Sequence, residues 1–244
     1  NAPDNIKDLV EGIVIPEQPT FFTSAFPPHP DPTYFSLHPA ADVPMLMKAD
    51  KLHTEGVIGR SVKIALVDTG FYSAHPYYTS RGYNITTIAV PEPGIDPTTD
   101  EYGHGTGIST NALGVAPGTN FVSVKEGTNS TLAFKLAVKQ RPNIITNSWG
   151  FPIDTSSTLP PEHIPLEIEI ANAVANGITV LFAAGNHGDK SWPASMSEVI
   201  SVGGAHFDED LNLQASSYAS SFDSQIYPGR HVPDICGLVG LAPK

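Results

Sequence analysis

Short apolar runs recur along most of this chain, alternating with stretches of helix-forming residues. Segments 62–67, 85–90, 121–124, 143–146, 179–183 and 199–202 read as strands, and segments 44–53, 104–112 and 130–140 read as helices. Such alternation predicts an α/β fold: a doubly wound, mainly parallel sheet with helices on both faces. Segment 164–176 reads two ways. Leu166-Glu167-Ile168-Glu169-Ile170 alternates with period two, as a strand does, whereas Ala171-Asn172-Ala173-Val174-Ala175 continues with helix formers and Gly177 supplies a stop.

Residues 1–41 have a different texture. Pro27-Pro28-His29-Pro30-Asp31-Pro32 is unsuited to helix or central strand, because proline has no amide donor. This part reads as an extended arm lying over a folded body formed by residues 42–244, with a linker or a propeptide remnant as alternatives. No internal repeat is visible.

Composition narrows the function. With 244 residues and 40% hydrophobic content the chain can bury a sizeable core, and 23 prolines with 21 glycines imply many loops. The formal net charge of −12 argues against nucleic acid as a partner and against adsorption to anionic lipid. No apolar stretch is long enough for a membrane span. The single cysteine, Cys236, excludes an internal disulfide, and its neighbours Ile235 and Leu238 predict a small buried hydrophobe. Two glycosylation sequons, at Asn84 and Asn129, matter only in a secretory eukaryotic context and read as chance. The chain begins at Asn1 with no signal segment before it, so either a leader has been removed or the N-terminus was cut. The compartment stays open, with secretion favoured.

Chemistry concentrates at three places. Asp68 closes the run Val62-Lys63-Ile64-Ala65-Leu66-Val67, which puts a carboxylate at the carboxyl end of a buried strand, where doubly wound folds bind ligands. Asp68-Thr69-Gly70 also occurs in aspartic proteases, but those enzymes need two aspartates sharing a proton and no second such tripeptide is present. His104 opens Gly103-His104-Gly105-Thr106-Gly107, where small neighbours let a peptide backbone approach the ring. Asn186 follows the run Thr179-Val180-Leu181-Phe182-Ala183-Ala184 and is preceded by Gly185. A dinucleotide-binding fold is not supported, since no Gly-x-Gly-x-x-Gly follows segment 62–67.

Taken in order, Val62–Gly70 with His75-Pro76, the His104 motif with Gly114-Val115-Ala116-Pro117-Gly118, Asn147-Ser148-Trp149-Gly150 and Ala183-Ala184-Gly185-Asn186-His187-Gly188 resemble subtilisin-like serine proteases. Trp192-Pro193-Ala194-Ser195, Val199–Gly204, Ala215–Ser220 and Val232–Ile235 continue the likeness, which covers about residues 42–240. The resemblance implies that Asp68 orients His104, that His104 is the base and that the Asn186 amide donates to an oxyanion. It further implies that Ser148, Trp149, Gly150, Ala184 and Gly185 bind a peptide or protein substrate, the backbone of 148–150 pairing with it as an added strand. It also favours helix over strand for 164–176. No cofactor is implied. Only nine residues separate His104 from Gly114, leaving no room for the calcium loop that the family often inserts there.

The family's nucleophile sits in Gly-Thr-Ser-x-Ala, a motif absent from these 244 residues. Ser109, Ser148, Ser195 and Ser220 belong to other family segments. The catalytic domain therefore reads as incomplete without a C-terminal segment, whose absence would expose an apolar face of on the order of several hundred Å². Residues 1–244 are accordingly expected not to fold stably alone. Three readings stay open: a processed two-chain enzyme with its serine on a C-terminal companion, a sequence that stops early, and an inactive peptide-binding pseudoprotease.

Overall fold

A computed structural model describes residues 18–21, 34–36, 41–208, 210–239 and 241–243. Within the arm, two short strands are described, β1 (Thr20–Phe21) and β2 (Tyr34–Ser36). Two short helices follow, α1 (Asp42–Leu46) and α2 (Ala49–Thr54), in place of the single helix expected at 44–53. The break lies at Lys48, whose φ of 61° is left-handed and cannot continue a right-handed helix.

The body then alternates as expected. Its first elements are β3 (Lys63–Asp68), α3 (Pro76–Thr79), β4 (Asn84–Ala89), α4 (His104–Val115), β5 (Asn120–Lys125) and α5 (Ser130–Lys139). They are followed by β6 (Ile144–Asn147), β7 (Trp149–Gly150), α6 (Ile164–Ala175), β8 (Thr179–Ala183) and β9 (Ile200–Phe207). Short strands complete it: β10 (Leu213–Ala215), β11 (Phe222–Asp223), β12 (His231–Val232), β13 (Ile235–Leu238) and β14 (Leu241–Pro243). The main sheet runs β10-β9-β8-β6-β3-β5-β4, with β13 also paired to β9. All its pairings are parallel except that of β10 with β9.

Alternate residues of the central strands feed two cores. Ala65, Val67, Val122 and Val124 pack with α5 and α6 through Phe134, Leu166 and Ile170. Leu66 and Phe121 pack on the other face with Leu113 of α4 and with Phe71 and Tyr78. Burial on both sides explains why β3 reads as an unbroken apolar run. Helix α6 settles the ambiguous segment. Leu166, Ile170 and Ala173 are buried at helical spacing, while Ile168 is 52% exposed, which a strand with period two would not allow.

Two described stretches of the arm pair with this body. β1 pairs antiparallel with β7, Thr20 opposite Gly150 and Phe21 opposite Trp149, and the Gln18 side chain donates to the Thr128 carbonyl at 2.6 Å. β2 pairs antiparallel with β14. Pro27 to Pro32, the proline-rich stretch, lies outside the described residues. Cys236 corrects an expectation: it is exposed on β13, where its apolar neighbour Ile235 is 52% exposed as well and so provides no buried setting. Among the described residues no helix is long and apolar enough to cross a membrane.

Candidate active site

Strand β3 delivers Asp68 to its carboxyl end fully buried, on the sheet face that carries α4. Helix α4 begins at His104, after Gly103 at a left-handed φ of 82° has turned the chain into it. The His104 imidazole, with its side chain 7% exposed, meets Asp68 Oδ1 through Nδ1 at 2.7 Å. The Thr69 N–H donates to the same oxygen at 2.8 Å. This contact requires glycine at 105, where a Cβ would sit 2.3 Å from the Gly70 carbonyl oxygen and 3.1 Å from Asp68 Oδ1. Asp68 Oδ2 is buried with no hydrogen-bond partner among the described residues.

Asn186 arrives from the opposite side of the cleft. After β8, Gly185 at φ 107° and His187 at φ 57° bend the chain sharply, and backbone bonds fix the bend. The Ser220 N–H donates to Gly185 C=O at 2.8 Å and the His187 N–H to Tyr218 C=O at 2.7 Å. His104, Ser148, Gly185 and Asn186 then line one cleft of about 640 Å³, whose floor includes Gly203 and Gly204 of β9.

The remaining sequence-derived candidates sit differently. Trp149 and Ala184 are buried in the core, and the Trp149 Nε1–H donates to Val67 C=O at 2.9 Å. What they can offer a peptide is backbone, and the edge formed by Trp149 and Gly150 already pairs with β1. Among the described residues no group of three or more His, Cys, Asp or Glu side chains is placed to hold a metal ion.

Two carboxyl groups at this site were not singled out from the sequence. Asp100 ties the loop before α4 to both sides of the Asp68–His104 pair. The available signal was its place four residues before the histidine, and it was hidden among other loop acids such as Asp96 and Glu101. Glu126 follows β5, where its N–H donates to the Asp68 carbonyl at 2.8 Å. Neither oxygen of its buried carboxyl has a hydrogen-bond partner among the described residues. Burial first, then the negative charges of Asp68 and Glu92, push the Glu126 carboxyl well above its ordinary value of 4.5.

A raised folded value means that folding takes up a proton. The stability tied to Glu126 is therefore complete below the unfolded value and declines as pH rises toward the folded one. Glu126→Gln is expected to raise the unfolding temperature at about pH 7 and to leave it unchanged at about pH 4. Thermal unfolding at the two pH values checks this, and an equal gain at both would show that the carboxyl does not titrate as described.

Comparison with known proteins agrees with this architecture. Residues 59–236 match the subtilase family. The major intracellular serine protease of Bacillus subtilis (strain 168) is 30% identical over 213 residues, covering 77% of this chain and 64% of that protein. Subtilisin E of the same organism is 30% identical over 201 residues, 73% of this chain and 48% of its own length. Subtilisin of Bacillus pumilus is 31% identical over 207 residues, 75% and 70% respectively. The chain thus spans from about half to about two thirds of the length of the relatives it matches. With the doubly wound sheet and a family match over well more than half of its residues, the chain belongs to the subtilase family of subtilisin-like serine proteases.

Proposed function

We propose that this chain supplies the orienting carboxylate, the base and an oxyanion donor of a serine endopeptidase whose nucleophilic serine lies outside residues 1–244. The carrying observation is the 2.7 Å contact of Asp68 Oδ1 with His104 Nδ1 at a cleft that Asn186 also lines. Asp68 holds the imidazole in the tautomer whose Nε2 is basic and stabilises the imidazolium. His104 takes the serine proton as the oxygen attacks the peptide carbonyl. Asn186 donates to the oxygen that becomes negative, and His104 returns the proton to the leaving amine. Water then hydrolyses the acyl-enzyme by the same route.

The substrate is an extended peptide adding at β7, beside Ser148 and Gly185. Support comes from the arm, whose Thr20–Phe21 pairs antiparallel with that edge as an extended peptide would. A C-terminal companion polypeptide is the source of the serine in this reading.

A fluorophosphonate probe followed by denaturing intact-mass measurement tests the proposal on the protein as isolated. The expected adduct is on polypeptide outside residues 1–244, with a separate mass if the serine is on a companion. An adduct on a serine within 1–244 would refute the assignment. No adduct anywhere, with peptide binding retained, would leave a peptide-binding pseudoprotease.

Within the active protein, Asn186→Leu is expected to lower turnover by about 10² to 10³ with little change in KM, since the donor acts on charge that develops in the transition state. That range is the cost of removing the matching donor in subtilisin itself, and steady-state kinetics on a peptide substrate check it here. A fall in turnover of less than about threefold would remove Asn186 from the oxyanion site.

A further inference from the structure

We infer that Asp100 is a positioning residue, whose carboxylate locks the strand bearing Asp68 to the helix bearing His104 and so sets the hydrogen bond between them. The inference rests on the proposed roles of Asp68 and His104.

Each Asp100 oxygen accepts two hydrogen bonds. Oδ1 receives the Thr69 hydroxyl at 2.8 Å and the Gly103 N–H at 2.9 Å. Oδ2 receives the Thr106 N–H at 2.8 Å and the Thr106 hydroxyl at 2.7 Å. Thr69 directly follows Asp68, while Gly103 and Thr106 bracket His104. One side chain thereby spans both halves of the pair.

The two threonines extend the lock. Because each hydroxyl proton points at Asp100, the hydroxyl oxygens are left as acceptors. Thr69 Oγ1 accepts the Gly105 N–H at 3.0 Å, and Thr106 Oγ1 accepts the Tyr72 N–H at 2.9 Å. Thr69 Oγ1 also lies 3.3 Å from Asp68 Oδ1, but its single proton is directed by the closer Asp100 oxygen. The Thr69 N–H meanwhile donates to the Asp68 oxygen that His104 contacts. Gly103, at the helix N-cap, has no side chain to cap α4, so Asp100 does this from three residues upstream by accepting the third N–H of the helix.

The geometry predicts an unusual intolerance. Asparagine has the shape of aspartate, but both oxygen positions here face a backbone N–H, which cannot reverse its polarity. Whichever way an amide at position 100 is turned, its NH₂ meets a donor. Burial of Asp100 raises its proton affinity, yet the bonds from Thr106, Thr69 and Gly103 more than offset this and hold the carboxyl below its ordinary value. It is therefore ionised wherever the enzyme would work, beside the N-terminus of α4, where negative charge is favoured.

The test is Asp100→Asn in the intact protein, with folding confirmed by thermal unfolding. Two readouts follow: the low-field proton resonance of the His104 Nδ1–H, and the separate kcat and KM for a peptide substrate. The expected result is a folded protein in which that resonance is lost or broadened. In the same variant kcat should fall about 10²-fold, as for a misplacement of catalytic groups by about 1 Å, with KM within about twofold. A folded variant with an unchanged resonance and unchanged kcat would overturn the inference and leave Asp100 a structural cap.

If Asp100→Asn does not fold, Thr69→Val decides on the same readouts, since it removes the hydroxyl link and keeps the charge. Loss of the resonance then supports the lock and its retention refutes it. The resonance does not depend on hydrolysis. If it changes while neither variant nor parent reacts with the fluorophosphonate probe, the positioning role stands and the protease reading fails.

Discussion

Asp68→Asn is expected to reduce turnover on peptide substrates by about 10⁴-fold, the cost of the corresponding substitution in a chymotrypsin-type triad. Oδ1 of Asp68 accepts from both His104 Nδ1 and the Thr69 N–H, so only an acceptor fits that position. An asparagine turned to satisfy them has no charge with which to stabilise the imidazolium. Its NH₂ group would then occupy the Oδ2 position, which is buried without a partner among the described residues. Turned the other way, it presents donors to His104 and forces the imidazole into the tautomer that cannot accept the serine proton. Steady-state kinetics of the variant in the active protein measure the effect. A loss smaller than about tenfold would mean that Asp68 does not orient the base.

Trp149→Ala is expected to cost about 3–5 kcal/mol of folding stability, as large-to-small substitutions of buried aromatics do. The indole is fully buried, stands perpendicular to the Phe182 ring at 5.2 Å between centroids, and lies 6.0 Å from the Phe151 ring. Its N–H satisfies the Val67 carbonyl in the strand that carries Asp68, so truncation leaves both a cavity and an orphaned acceptor. Denaturant unfolding of the intact protein gives the loss directly, and a value under about 1 kcal/mol would show that the cavity collapses around the missing ring. Trp149→Phe should recover much of the packing but not the hydrogen bond.

The parallel core was legible because strands buried on both faces must be apolar throughout. Thr179–Ala183 begins and ends where its apolar run does, and β3, β4, β5 and β6 lie within one residue of theirs. Asp68, His104 and Asn186 stand out in the sequence through the order of their motifs; His104 and Asn186 line one cleft, and Asp68 lies buried at the end of β3 against His104. Less visible was the continuation of β9 to Phe207, since Gly203, Gly204 and His206 interrupt the apolar pattern. Pairing with β10 and β13 continues that part of the strand, in which Ala205 and His206 are buried. Strand β13 carried no signal of exposure, and Cys236 was misjudged because apolar neighbours do not reveal which sheet face is covered. Asp100 escaped notice because its importance lies in four hydrogen bonds to residues on either side of it, and loop acids share its composition without its partners.

The pairing of β1 with β7 has a thermodynamic consequence for any peptide that adds at that edge. Recognition there is an exchange, because Thr20 and Phe21 must leave Gly150 and Trp149 before another strand takes their place. The resident competitor belongs to the same molecule, so diluting the protein does not weaken it. The apparent dissociation constant of a peptide is its intrinsic value divided by the fraction of molecules whose edge is open. Peptides of different sequence then share one common penalty, and their ranking survives it unchanged.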